Sequence, residues 1–62
     1  MEELYIRAIK AAILKLKNKQ TSEDERTEAM RAAGRNLGKL KVVNEPMHED
    51  LQKEYLNCLP VD

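Results

Sequence analysis

The order of apolar and polar positions divides the chain into three helical stretches. The densest apolar stretch is LYIRAIKAAILKL, residues 4–16. At about 100° per residue, most of its large side chains fall within an arc about 120° wide, which is typical of a helix that covers a core. The side chains in this arc are Tyr5, Ile6, Ile9, Ala12, Ile13 and Leu16. We therefore predict a first helix over residues 2–18.

Ser22 marks the start of a second helix. It suits the N-cap position, and Glu25 stands three residues later, as in a capping box. The apolar arc that follows is made mostly of small residues: Ala29, Met30, Ala33, Gly34 and Leu37. Gly34 costs about 1 kcal/mol relative to Ala inside a helix, so either close packing requires it or the helix bends there. Because Gly38 suits the position just past a helix end, we predict a helix over residues 22–37.

Segment 39–43 has a different pattern. Leu40 and Val42 alternate with lysines, which is typical of a strand. One short strand has no partner within this chain, so we expect an extended connector that places apolar side chains on the core. The alternative is a strand that pairs with its copy in a dimer.

A third helix is predicted over residues 46–58. Pro46 suits the first helical position, and an apolar stripe follows it: Met47, Leu51, Tyr55, Cys58 and Leu59. The three helices predict an all-α fold, a small three-helix domain over residues 1–62. Its first two helices form an antiparallel hairpin, and the third packs across them. The predicted core consists of Tyr5, Ile6, Ile9, Ile13, Leu16, Met30, Ala33, Leu37, Leu40, Val42, Met47, Leu51, Tyr55 and Leu59.

The composition limits how such a domain is stabilised. A chain of 62 residues buries only about 60% of its unfolded surface, and small scaffolds commonly add a disulfide, a metal or a partner chain. Cys58 is the only cysteine and His48 the only histidine, so an internal disulfide and a Cys/His zinc site both lack residues. We expect no metal and no cofactor. A homo-oligomer is then the expected source of added stability.

The charges are equal in number but unevenly placed. Residues 1–43 hold ten basic and six acidic residues, a net charge of +4, whereas residues 44–62 have a net charge of −4. The simplest interpretation is internal, with an acidic third helix docking on basic neighbours. The N-terminus lacks the basic character of a targeting signal, and the apolar runs are too short for a membrane span. We predict a cytoplasmic protein without membrane contact.

No catalytic residues are predicted. Ser22 is explained as a helix cap, and Cys58 lies ten residues from His48 on one predicted helix, roughly 15 Å along its axis. For Cys58 we expect a small buried apolar role, and for His48 a local polar contact. The chain is therefore predicted not to be an enzyme.

The first helix carries apolar residues that its core stripe does not use. Leu4, Ala8, Ala11 and Leu14 lie on the other side of the wheel. Isolated surface leucines are normal, and a second strip covered by a partner explains these residues equally well. We predict a protein–protein interaction or regulatory module, self-association included, with these four residues as the candidate interface.

The alternative function is nucleic-acid binding. Taking Gly34 as the turn of a helix-turn-helix unit, the basic face of residues 31–41 would meet a groove and phosphates. The candidate contacts are Arg31, Arg35, Lys39 and Lys41. Against this, Arg35 occupies a turn position that usually prefers an apolar side chain.

Overall fold

A computed structural model describes residues 2–59, and these residues form three helices. They are α1 (Glu2–Lys17), α2 (Glu23–Val43) and α3 (Glu45–Cys58). Each helix packs against both of the others. The described residues contain no strand, so the fold is the predicted all-α, three-helix architecture. None of these three helices is long and apolar enough to cross a membrane.

Contacts at both ends show that α1 and α2 form an antiparallel hairpin. At the connection between them, the Thr21 hydroxyl donates to the Lys15 carbonyl at 2.8 Å. At the opposite end, the Asn44 side-chain amide donates to the Glu2 carboxylate. The predicted hairpin is therefore confirmed. Helix α3 runs antiparallel to α2, since His48 near its start contacts Leu37, and Cys58 at its end lies beside Met30, further back along α2.

Two polar side chains set the starts of α2 and α3. The Ser22 hydroxyl accepts a hydrogen bond from the Glu25 backbone N–H at 3.3 Å, which confirms Ser22 as the N-cap. Asn44 ends α2 and begins α3, because its own N–H donates to the Leu40 carbonyl at 2.7 Å while its side-chain oxygen accepts from the Met47 N–H at 3.2 Å. One residue thus makes the corner between two helices.

The predicted end of α2 at residue 37 is wrong, because the helix continues through residues 39–43 to Val43. The extended connector and the strand pairing in a dimer are wrong for the same reason. Leu40 lies three residues after Leu37 on the same helical face and is fully buried. Burying one leucine contributes about 1.5–3 kcal/mol, which exceeds the cost of about 1 kcal/mol for Gly38 inside a helix.

The core forms two connected groups of side chains. The larger group is aliphatic and contains Ile9, Ile13, Leu37, Leu40 and Leu51. The second is made mostly of alanines at the α1–α2 contact and contains Ala12, Leu16, Ala29 and Ala33. Five further predicted core residues pack against these groups while partly exposed: Tyr5, Ile6, Met47, Tyr55 and Leu59.

Two predicted core residues are not in the core. Val42 is 85% exposed, because in a continuous helix it points about 200° away from Leu40. Met30 is also exposed, since Ala29 and Ala33 bring α2 close to α1 and leave Met30 at the edge near Cys58. A strand would have placed Leu40 and Val42 on one face, and the helix separates them.

Candidate functional site

The four residues predicted as an interface lie along the outside of α1. Leu14 is 69% exposed and Leu4 is 60% exposed, while Ala11 is exposed and Ala8 is half-buried. Ten residues separate the two leucines, which is about 15 Å along the helix. The structure therefore places these residues on one helix surface without gathering them into one compact patch.

Ala8 and Ala11 face the α2 side of this surface. They line a shallow depression of about 310 Å³ between α1 and α2. Its other lining residues are Ala12, Lys15, Glu28, Ala29 and Ala32. The walls are methyl groups with one cation and one anion, so the depression offers close approach and few polar contacts.

Leu14 faces the α3 side and belongs to a different depression, of about 270 Å³. Ile13 lies beside it, and Lys10, Lys17 and Glu54 supply the polar groups. An apolar centre with charged neighbours resembles the anatomy of a protein–protein interface, which has an apolar middle and a polar rim. Leu14 is therefore the predicted interface residue with the most suitable surroundings.

The four candidate nucleic-acid contacts are all exposed but do not share one side of α2. Arg31, Arg35 and Lys39 follow one another at four-residue spacing along one side of the helix. The Lys39 ammonium lies 5.9 Å from the centre of the Tyr5 ring, within the range of a cation–π contact. Lys41 instead lines a groove between α2 and α3.

The turn that the helix-turn-helix interpretation requires at Gly34 is absent. Gly34 and Gly38 both lie inside α2, and neither has a positive φ. The helix continues because Leu40 is buried beyond them. That geometric part of the nucleic-acid interpretation is wrong, whereas binding itself stays a prediction.

The groove between α2 and α3 is a feature that the sequence analysis missed. It encloses about 390 Å³, and its lining residues are Gly34, Leu37, Gly38, Lys41, His48, Gln52, Tyr55 and Leu56. A methyl group built on either glycine would have no atom within 4 Å apart from its own helix backbone and chain neighbours. Close packing within the chain therefore does not require Gly34. The one sequence signal for this groove is the glycine pair, Gly34 and Gly38, four residues apart.

His48 and Cys58 have structural positions. The His48 ring is buried, and its Nδ1 lies 2.8 Å from the Leu37 carbonyl. Since a carbonyl only accepts, Nδ1 carries the proton in this contact, which confirms the predicted local polar role. Cys58 packs partly buried against both core groups. Within residues 2–59, no three side chains of His, Cys, Asp or Glu are grouped to hold a metal ion.

Residues 2–59 thus define a small three-helix protein with three shallow inter-helix depressions described above. Comparisons with protein-family models, curated proteins and solved structures find no match to the chain. The functional argument therefore rests on the chemistry of these surfaces.

Proposed function

We propose that this chain is a small, non-enzymatic interaction or regulatory module of the cytoplasm that binds another protein through the outer surface of α1. The observation that carries the proposal is Leu14. It is 69% exposed and sits in a concave surface beside Ile13, between helices α1 and α3. Covering one leucine fully contributes about 1.5–3 kcal/mol, so a partner gains from burying it.

The charged neighbours of Leu14 describe the partner's complementary surface. Lys10 and Lys17 are exposed on α1, and Glu54 is exposed across the depression on α3. A partner that places an apolar side chain on Leu14 and carboxylates near the two lysines matches both the shape and the sign of charge. Arg7 continues this surface along α1, since it lies seven residues before Leu14, which is about two helical turns.

The non-enzymatic part of the proposal is supported by the roles of the reactive side chains. The Ser22 hydroxyl caps α2, and the His48 ring is bonded to the Leu37 carbonyl. Cys58 lies on the same helix as His48, ten residues away, which is about 15 Å along the axis. A Cys–His pair therefore lacks the contact that nucleophilic catalysis needs.

Substitution of Leu14 tests the proposal. Leu14→Lys should leave the free energy of unfolding within about 0.5 kcal/mol of wild type, because the position is exposed. In quantitative affinity capture from the native host, the variant should also fail to retain proteins that the wild-type chain retains. The matched control is Val42→Lys, which also replaces an exposed apolar residue by lysine, at a position on α2 that is 85% exposed. Equal retention by wild type and Leu14→Lys would contradict binding through this surface.

Nucleic-acid binding is the second candidate, and one observation favours it. Arg31, Arg35 and Lys39 are exposed in a row on one continuous helix. Gel shifts over a salt series test it, because phosphate contacts make affinity fall steeply with salt. Binding that weakens with salt and is lost when all three residues become alanine would promote this function above the first.

A further inference from the structure

The groove between α2 and α3 lies on a face that the proposed α1 surface does not use. We call it the α2–α3 face and define it by Gly34, Gly38 and Lys41 on α2 and by Gln52 and Leu56 on α3, all exposed. Leu56 is a large apolar side chain with 53% of its surface exposed. Beside it, the two glycines leave a strip of α2 backbone uncovered by side chains.

The two halves of this face carry opposite charge. On α2, Lys41 and Arg31 flank the glycines, three residues after Gly38 and three before Gly34. Helical spacing places the four within an arc of about 80°, with Arg31 at the edge that borders Arg35. Arg31 and Lys41 are both exposed.

On α3, Glu45 and Glu49 precede Gln52 and Leu56 at spacings of four, three and four, which again selects one side of a helix. Both glutamates are exposed. These exposed carboxylates are therefore accessible to basic groups of another molecule.

The levels of the two helices are fixed relative to each other. The His48 ring reaches the Leu37 carbonyl, and α3 runs antiparallel to α2. Moving along α2 from Leu37 to Lys41 therefore moves back along α3 toward Glu45. Because helical side chains lean toward the N-terminus of their own helix, the Lys41 side chain comes near the level of Glu49, and the Leu56 side chain approaches Gly34 from the Arg31 side of the groove.

We propose that the α2–α3 face binds a second copy of this chain about a two-fold axis parallel to the helices. This axis places α2 of each copy over α3 of the other, so Lys41 meets Glu49, and Leu56 packs beside Gly34 across the interface. A two-fold axis across the helices would instead stack basic α2 on α2 and acidic α3 on α3. Charge complementarity selects the first arrangement.

The same arrangement gives a role to Gly34. Without a Cβ at Gly34, the opposing Leu56 can pack against the α2 backbone. The equal numbers of basic and acidic residues, 11 each, remove net repulsion between copies. The proposal names a surface for the self-association that the sequence predicts, and it goes beyond the proposed function because it does not involve Leu14.

Charge exchange between two variants tests the proposal. In Lys41→Glu both cross-interface pairs become acid against acid, and in Glu49→Lys both become base against base. Sedimentation equilibrium from low micromolar to millimolar concentration should show that wild type dimerises. Each variant alone should dimerise about tenfold more weakly, because its dimer loses two attractive surface pairs and gains two repulsive ones. An equimolar mixture should recover the wild-type constant, because both pairs in the mixed dimer are then opposite in sign.

Leu56→Lys and Leu14→Lys complete the test, since both replace an exposed leucine by lysine on different faces. Leu56→Lys should abolish the dimer, and Leu14→Lys should leave it intact, with far-UV circular dichroism confirming that both are folded. A monomeric wild type throughout the range overturns the proposal. So does a mixture that stays monomeric, or a dimer that is lost with Leu14→Lys and kept with Leu56→Lys. None of these results bears on capture of another protein through Leu14.

Discussion

Replacing Gly34 and Gly38 by alanine should stabilise the folded monomer. Both glycines lie inside α2, neither adopts a positive φ, and an added methyl group would have no atom within 4 Å apart from its own helix backbone and chain neighbours. The folded state therefore accepts the methyl group without strain. Alanine also restricts the unfolded chain, so less backbone entropy is lost on folding.

The magnitude follows from helix propensity. Each glycine costs about 0.5–1 kcal/mol relative to alanine in a helix interior, so Gly34→Ala with Gly38→Ala should add about 1–2 kcal/mol. A chain of this length has a total free energy of unfolding of roughly 3–9 kcal/mol, of which this is a substantial share. The melting temperature should rise by about 4–8 °C for each kcal/mol.

Urea denaturation followed by far-UV circular dichroism measures this effect, at a concentration where sedimentation shows monomer. Ala32→Gly is the reverse substitution within α2 and should destabilise by about 0.5–1 kcal/mol. If the Gly34→Ala, Gly38→Ala variant were less stable than wild type while Ala32→Gly behaved as expected, the conclusion that both glycines have open space for a methyl group would be contradicted. An unchanged slope against urea is also expected, because the surface exposed on unfolding hardly changes.

Four other substitutions test the extended α2 and its corner by the same denaturation assay. Leu40→Ala should lower the free energy of unfolding by about 2–5 kcal/mol, because Leu40 is fully buried. Val42→Ala should change it by no more than about 0.5 kcal/mol, because Val42 is exposed. Similar effects at the two positions would argue for a strand. Asn44→Ala should cost about 1–2 kcal/mol, since it removes the α3 cap and the bond to Glu2. It should cost more than Ser22→Ala, which removes a cap alone, and the reverse order would contradict the corner described for Asn44.

The three-helix fold was predictable because its main signals are local. The stripe that includes Ile9 and Ile13 repeats at helical spacing, and both residues are buried as the wheel indicates. Ser22 stands just before the observed start of α2 and caps it, and Pro46 lies in the first turn of α3, as predicted. Such signals depend on residues three or four positions apart, and sequence alone contains that information.

The end of α2 was not predictable in this way, because tertiary packing overrides the local signals there. Gly38, the alternation of Leu40 with lysines and the β-branched Val42 all favour an end to the helix. The helix continues because Ile9, Ile13 and Leu51 from the other two helices surround Leu40. Their arrangement around one residue requires the packed structure.

The candidate surfaces were only half predictable for a related reason. A helical wheel shows that Leu14 points away from the core, and its exposure agrees. The wheel does not show which helix borders Leu14, so it grouped this residue with Ala8 and Ala11. The packing places Leu14 beside α3 and the alanines beside α2. The position of α3 therefore decides which residues act together.

The glycine pair connects stability with association. Gly34→Ala with Gly38→Ala should raise the stability of the monomer and, at the same time, weaken the dimer, because the methyl group added at Gly34 occupies the space where the opposing Leu56 packs. If the two positions affected folding alone, the substitutions would raise the free energy of unfolding and would leave the dimer association constant unchanged or raise it. Opposite changes in the free energy of unfolding and in the dimer constant would mean that the open backbone of α2 is maintained for a second copy at the expense of the single chain.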